Sequence, residues 1–329
     1  MNSVGVIGLG NWGTALANHL AWKGLKVTGW AIEPDIVAGI TSAHQNPRYL
    51  TGIELSPELR ATSDLTALRD CQALVLTVPA KVLASVLAQL QVPRSTLVVS
   101  AVKGLDFMTR MTPLQLAGQA LQGHSRLATL SGPSFARDIV RRLPCGVVAA
   151  SSDPESAQQT AELFNSDCMR VYTSQDPLGV ELGGILKNVI AIAAGVCDAL
   201  QLGDSARAGL VTRGLAEMTR LGVAMGADAR TFSGLSGLGD LSMTATSDAS
   251  RNRQVGLRLG RGEKLTEIEK ALGSVAEGVH TTPIVCDLAE KYGVEMPITQ
   301  QVSKLLKGEV TPVESIRALI VRPIKAEVG

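Results

Sequence analysis

Val4-Gly5-Val6-Ile7-Gly8-Leu9-Gly10-Asn11-Trp12-Gly13 runs an apolar, strand-like segment into a Gly-x-Gly-x-x-Gly turn, and Thr14-Ala15-Leu16-Ala17 then opens a helix. Each glycine has a physical task. Gly8 permits the tight turn, Gly10 has no side chain to block a pyrophosphate, and Gly13 lets the helix pack close to the strand. The free N–H groups and dipole at the helix start favour negative charge. Glycine-rich turns are common, so the motif alone is weak. Its position, closing a first strand and opening a helix, makes it a dinucleotide loop.

The pattern continues outward from that loop. Strand-like runs are read at Ser3–Ile7, Lys26–Trp30, Ala73–Val78, Thr96–Ala101, Leu127–Leu130 and Gly146–Ala150, with a short one at Met169–Tyr172. Several are almost wholly Val, Leu, Ile and Ala, which is how strands covered on both faces read. Helical periods fall between them at Thr14–Lys23, Val82–Leu90 and Glu155–Asn165. Alternating strand and helix predict a doubly wound, mostly parallel α/β sheet of Rossmann-like type. From Pro177 onward only helical periods broken by glycines remain, and Gly179–Leu200 is apolar nearly all round, as a core helix would be. The expected organisation is therefore a dinucleotide-binding domain over residues 1–175 and an all-helical substrate-binding and catalytic domain over 176–329.

Composition narrows the function. With 45% hydrophobic and 19% charged residues in 329, the chain has material for real cores. Lys plus Arg number 31 against 30 for Asp plus Glu, so no broad attraction to nucleic acid or anionic membranes is expected. Aromatics at 3% argue against base-stacking platforms. No uncharged apolar run approaches the roughly 18 residues of a membrane span, and MNSVGVIGLG has no basic leader. Cys71, Cys145, Cys168, Cys197 and Cys286 are odd in number and never paired as CxxC, which suits buried free thiols in a reducing cytoplasm.

Oxidising an alcohol requires a hydride acceptor and a base. His19, His44, His124 and His280 fall in no polar cluster, and no HxH, HExxH or carboxylate cluster suggests a metal. Lys187 lies within the apolar helix, where burial lowers an ammonium pKa and brings it toward acid–base use; a snorkelling or core-paired lysine is the structural alternative. Asn188 beside it can orient a hydroxyl. Lys103 follows a strand's C-terminal end, where ligands of open sheets collect. Gly237-Leu238-Gly239-Asp240 is a glycine-rich turn carrying an acid. Ser250-Arg251-Asn252-Arg253 reads as an N-cap and first helical turn, suited to a phosphate, or as an ordinary capped helix with a basic face. Glu33, 20 residues after Gly13, is placed to hold a ribose 2′-hydroxyl, or is a solvated loop acid.

Together these segments resemble the bacterial-type glycerol-3-phosphate dehydrogenase [NAD(P)+] family nearly end to end. The resemblance rests on Gly8–Ala17, Asn46–Leu50, Lys103-Gly104, Ser131–Ala136, Glu181–Asn188, Arg207–Gly214, Gly237–Leu241, Ser250–Arg253 and Glu277–Val279, in the family's order. It implies reversible reduction of dihydroxyacetone phosphate to sn-glycerol 3-phosphate with NAD(P)H, feeding phospholipid synthesis, by a cytoplasmic homodimer. It implies Lys187 as proton donor and base, with Asp240 its partner carboxylate. It places Lys103, Gly132, Ser134, Asn188, Thr244, Ser250, Arg251 and Asn252 around the substrate. Gly8, Gly10, Asn11, Trp12, Gly13, Glu33, Lys103, Phe135, Ala136, Arg251 and Glu277 are placed around the dinucleotide. The chain departs from the family's pattern at Ala80-Lys81, Thr51, Ser205 and Ile32. At Ile32 the family often has arginine, so coenzyme preference stays open. The alternatives are a lysine-base dehydrogenase of another hydroxy or keto acid, and a dinucleotide sensor without turnover.

Overall fold

The computed structural model describes residues 1–124, 126–272, 276–324 and 326–327. The first part alternates β1 (Ser3–Ile7), α1 (Asn11–Trp22), β2 (Lys26–Trp30), α2 (Pro34–Ala43), β3 (Leu59–Thr62), β4 (Ala73–Leu76) and α3 (Ala80–Leu87). It continues through β5 (Leu97–Ser100), α4 (Pro113–Ala120), β6 (Leu127–Ser131), α5 (Ala136–Val140), β7 (Cys145–Ala150), α6 (Pro154–Phe164) and β8 (Met169–Ser174). The eight strands form one sheet in the order β3-β2-β1-β4-β5-β6-β7-β8. All neighbours are parallel except β6 and β7, which run antiparallel.

The all-apolar strands are explained by two cores. Side chains alternate across a strand with period 2. In β4, Ala73 and Val75 face one cluster with Leu16, Leu20 and Phe164, while Leu74 and Leu76 face another with Leu83, Leu87 and Leu116. Val99 and Val98 of β5 divide in the same way. Burial of each large aliphatic side chain contributes roughly 1.5–3 kcal/mol.

Several expectations need adjustment. β3 was not anticipated: Leu59-Arg60-Ala61-Thr62 pairs only with β2, and as an edge strand it tolerates polar residues that hide its signal. α1 starts at Asn11 rather than Thr14, because the glycine turn supplies the first helical residues. The expectation of buried thiols holds only for Cys197; Cys71, Cys145, Cys168 and Cys286 are half-buried, and all five are free.

From Pro177 the described chain is helical: α7 (Pro177–Ala199), α8 (Asp204–Ala224), α9 (Ala229–Phe232), α10 (Asp240–Thr246) and α11 (Arg251–Gly260), then α12 (Leu265–Leu272), α13 (Glu277–Lys291), α14 (Pro297–Leu306) and α15 (Pro312–Ile320). A π-helical turn, Leu235–Gly239, leads into α10. α7 is long and apolar enough to cross a membrane, yet Gly179 to Cys197 are buried as the axis of the helical core. Glycines let α11 cross it closely. A methyl group on Gly256 would lie 1.9 Å from the Ile192 carbonyl oxygen, and one on Gly195 2.1 Å from that of Arg253.

Candidate active site

The chain leaves β1 outward to β2 and β3, then returns to place β4 on the other side of β1. This is the switch point at which open α/β sheets bind ligands. The glycine turn sits there. Gly8 adopts φ +105°, and a methyl group on Gly13 would lie 1.7 Å from the Gly8 carbonyl oxygen, so neither position accepts a side chain. A methyl group on Gly10 would meet nothing within 4 Å, which leaves the backbone open to a ligand. The Thr77 hydroxyl donates to the Gly8 carbonyl at 2.7 Å, and the Asn46 amide donates to the Leu9 carbonyl at 3.0 Å. No side chain caps α1 at Gly10, and the Trp12 indole N–H is buried with no partner among the described residues. An uncapped helix start, an open glycine and an orphan donor fit a pyrophosphate-bearing dinucleotide.

Asn11 is exposed at the start of α1. Glu33 is half-buried at the N-cap position of α2, makes no cap bond, and adjoins the exposed Ile32. Phe135 stands at the N-cap position of α5 with the Arg137 guanidinium 5.5 Å from its ring centre, and Ala136 begins that helix.

Lys187 projects from the middle of α7. Its ammonium donates to Asp240 Oδ1 at 2.7 Å and to the Thr244 hydroxyl at 2.7 Å. Asp240 and Thr244 are one turn apart on α10, hence on one face. The second oxygen of Asp240 accepts from the Lys103 ammonium at 2.6 Å, and Lys103 also donates to the Gly132 carbonyl at 3.2 Å. Gly132 has φ +143°, and a methyl group there would press on the Val147 backbone, so only glycine presents that carbonyl. The Ser134 hydroxyl donates to the same carbonyl at 3.0 Å.

Two ammonium groups thus share one buried carboxylate. Burial lowers the Lys187 pKa to about 8, and the like charge of Lys103 lowers it too, while Asp240 opposes both. Burial alone would raise the pKa of Asp240, but the two cations outweigh it and hold the carboxyl below its ordinary range. The cluster's net positive charge suits an oxygen that becomes negative, and Lys187 has the acidity of a proton donor for neutral conditions.

At the start of α11, the Ser250 hydroxyl accepts from Arg253 N–H at 3.2 Å, the anticipated N-cap. Arg251 is exposed at the first helical position. Asn252 is differently employed: its amide donates to Asn188 Oδ1 at 2.9 Å and its carbonyl accepts from Gly278 N–H at 2.9 Å. It is a strut joining α7, α11 and α13, and its second amide N–H remains for a ligand. Arg253, buried, pairs with Asp198 at 2.7 Å and Asp248 at 2.6 Å. Arg207 holds the other oxygen of Asp198 at 2.9 Å, which gives that motif residue a bracing function. Glu277 lies against Gly104, and burial raises its pKa against the opposing charge of Arg251 and a bond from the Ala80 N–H.

The structure therefore joins Lys103, Gly132, Lys187, Asp240 and Thr244 directly, and links Asn252 and Gly278 to Asn188, the neighbour of Lys187 in α7. Sequence reasoning missed the Lys103–Asp240 pair and the braces Thr77 and Asn46. Contacts across some 140 residues leave no local signal.

Residues 3–157 match the family model described as NAD-dependent glycerol-3-phosphate dehydrogenase N-terminus, and residues 176–317 match its C-terminus counterpart. The chain is 49% identical to a glycerol-3-phosphate dehydrogenase [NAD(P)+] of Geobacter metallireducens, with 99% of each covered. It is 48% identical to the protein of that name from Desulfovibrio desulfuricans, with 99% of this chain and 98% of the relative covered. The crystal structure of glycerol-3-phosphate dehydrogenase from Coxiella burnetii superposes with a TM-score of 0.93 at 37% identity, covering 98% of this chain and 99% of that one.

Proposed function

Because the chain belongs to the NAD-dependent glycerol-3-phosphate dehydrogenase family, we propose that it reduces dihydroxyacetone phosphate reversibly to sn-glycerol 3-phosphate with NAD(P)H, with Lys187 as the proton donor. The bond from the Lys187 ammonium to Asp240 within a buried, cationic cluster carries the assignment of that residue. On this reading residues 1–175 hold the dinucleotide and 176–329 supply the catalytic groups, in a cytoplasmic homodimer that supplies phospholipid synthesis.

A bound nicotinamide supplies the hydride. Gly8, Gly10, Asn11, Trp12 and Gly13 would hold its pyrophosphate side, Glu33 the ribose, and Phe135, Ala136 and Glu277 the far side. The remaining work falls to this chain's own residues. Arg251 and the start of α11 grip the substrate phosphate, and that remote binding energy orients the ketone carbon. Lys103, Gly132 and Ser134 line the opposite wall, with Asn188, Ser250 and Asn252 supporting the phosphate side. Lys187 gives its proton to the ketone oxygen as negative charge develops there. Asp240 and Thr244 fix the direction of that ammonium, and the charge of Lys103 adds to the stabilisation. In the oxidative direction neutral Lys187 takes the hydroxyl proton.

The test is consumption of NADH, and separately of NADPH, with dihydroxyacetone phosphate beside a control without substrate. Turnover is expected, and the ratio of the two rates reads the part played by Glu33 and Ile32. No turnover from folded protein that still binds a dinucleotide would overturn the assigned substrate.

A further inference from the structure

Ser131, the last residue of β6, is buried, yet its hydroxyl has no hydrogen-bond partner among the described residues. A buried hydroxyl without a partner carries a desolvation cost that an alanine would not. Its surroundings give the reason for tolerating that cost. A methyl group on Gly184 would lie 2.5 Å from Ser131 Oγ and 3.5 and 3.6 Å from Cδ and Cε of Lys103. The hydroxyl, the lysine stem and the bare backbone of Gly184 therefore meet at one spot, one helical turn before Lys187 on α7. Lys103 has three N–H donors. Its ammonium bonds Asp240 and Gly132, and the Gly132 carbonyl is shared with the Ser134 hydroxyl.

We propose that Ser131 is a positioning residue that supplies a second seat for the Lys103 ammonium, taken up when substrate enters. In the free protein Lys103 rests on Gly132 and Asp240. A substrate oxygen arriving beside Asp240 competes for that ammonium, and a change in the terminal torsions of the lysine brings it to the waiting hydroxyl. Ser131 then holds Lys103 toward the substrate while Asp240 stays with Lys187. Gly184 is the residue that leaves room for this exchange, since any side chain there would meet both partners.

The inference rests on the proposed reduction, so wild-type turnover of dihydroxyacetone phosphate is measured first; its absence would defeat that reading alone. The experiment is then a double-mutant cycle of Ser131→Ala with Lys103→Met. Thermal unfolding and binding of dihydroxyacetone phosphate in the presence of NAD+ are read in all four proteins, and KM and kcat wherever turnover survives. Ser131→Ala is expected to unfold no lower than wild type and to keep its KM for NADH. It should bind dihydroxyacetone phosphate roughly tenfold more weakly, as loss of a hydrogen bond to a charged group implies. In the Lys103→Met background the same change should have no further effect, because the partner is gone. Additive losses, unaltered substrate binding in Ser131→Ala, or a loss that merely follows lowered thermal stability would each overturn the proposal. Ser131→Cys, which keeps a weak acceptor of similar size, should recover part of the loss and serves if the alanine variant does not fold.

Discussion

Lys187 and its charged neighbours carry the predictions at the scale of single residues. Lys187→Ala should keep dinucleotide binding and lose turnover by about 10²–10⁴-fold, the range of acid–base catalysis. Cofactor titration beside steady-state rates checks both halves. The pH dependence follows from the lowered pKa of about 8. Ketone reduction needs the protonated lysine, so its kcat should fall as pH rises through about 8. Alcohol oxidation needs the neutral amine and should rise over the same interval. Asp240→Asn removes the charge that opposes burial, and the falling limb of the reductive profile should move to lower pH. The linkage to folding has its own sign. The unfolded lysine binds its proton up to about 10.5, so stability gains from this group as pH rises from about 8 toward 10.5.

Helix termini and helix crossings decide the next level. α11 is set by the close approach of Gly195 on α7 to Gly256 on α11, and by the pairs that Asp198 makes with Arg253 and Arg207. Gly256→Ala should force α7 and α11 apart, with an overpacking cost of roughly 1–3 kcal/mol read from denaturant midpoints. It should also weaken binding of dihydroxyacetone phosphate, because the start of α11 moves. Arg251→Ala leaves the crossing untouched. Its expected signature is a raised KM for dihydroxyacetone phosphate, out of proportion to any change in thermal stability from the lost charge beside Glu277. An unchanged KM would favour a dehydrogenase of some other hydroxy or keto acid.

At the scale of the molecule, several carboxylates reach from the helical part to the sheet part, Asp287 to Arg110 at 2.8 Å on the surface among them. Asp240 takes Lys103, Glu277 takes the N–H of Ala80, and Glu181 takes the N–H of Leu114 at 2.9 Å. Glu181 is buried in α7, and burial raises its pKa to about 7 against bonds from the Thr112 hydroxyl and Leu114. Its folded pKa lies above the unfolded value of 4.5, so its contribution is present below about 4.5 and lost as pH rises through about 7. The shift corresponds to roughly 3 kcal/mol at most. Glu181→Gln keeps an acceptor and carries no charge. The difference in stability between variant and wild type should therefore change across that interval, with the variant gaining at pH 8. Glu217, also raised by burial, acts in both proteins and cancels in the difference. Equal slopes in the two proteins would remove Glu181 as the source.

The parts legible in the sequence are those whose physics is local. β1, its glycine turn and the following helix could be read because strand burial, backbone reach and helix polarity act within about twenty residues. α7 was legible because a helix apolar all round must be buried, and Ser250 because an N-cap bonds within its own first turn. The edge strand β3 was not, since pairing on one side relaxes the demand for apolar residues. The resemblance paired Lys187 with Asp240, but the sharing of that carboxylate with Lys103, the use of Asn252 as a strut and the solitary hydroxyl of Ser131 belong to the tertiary structure alone. Each depends on which side chains from distant elements arrive at one place, and in what order they claim a limited set of donors and acceptors. The residue types and their loops were set by the sequence; how the protons and charges are shared was decided only when the sheet and the helices closed on each other.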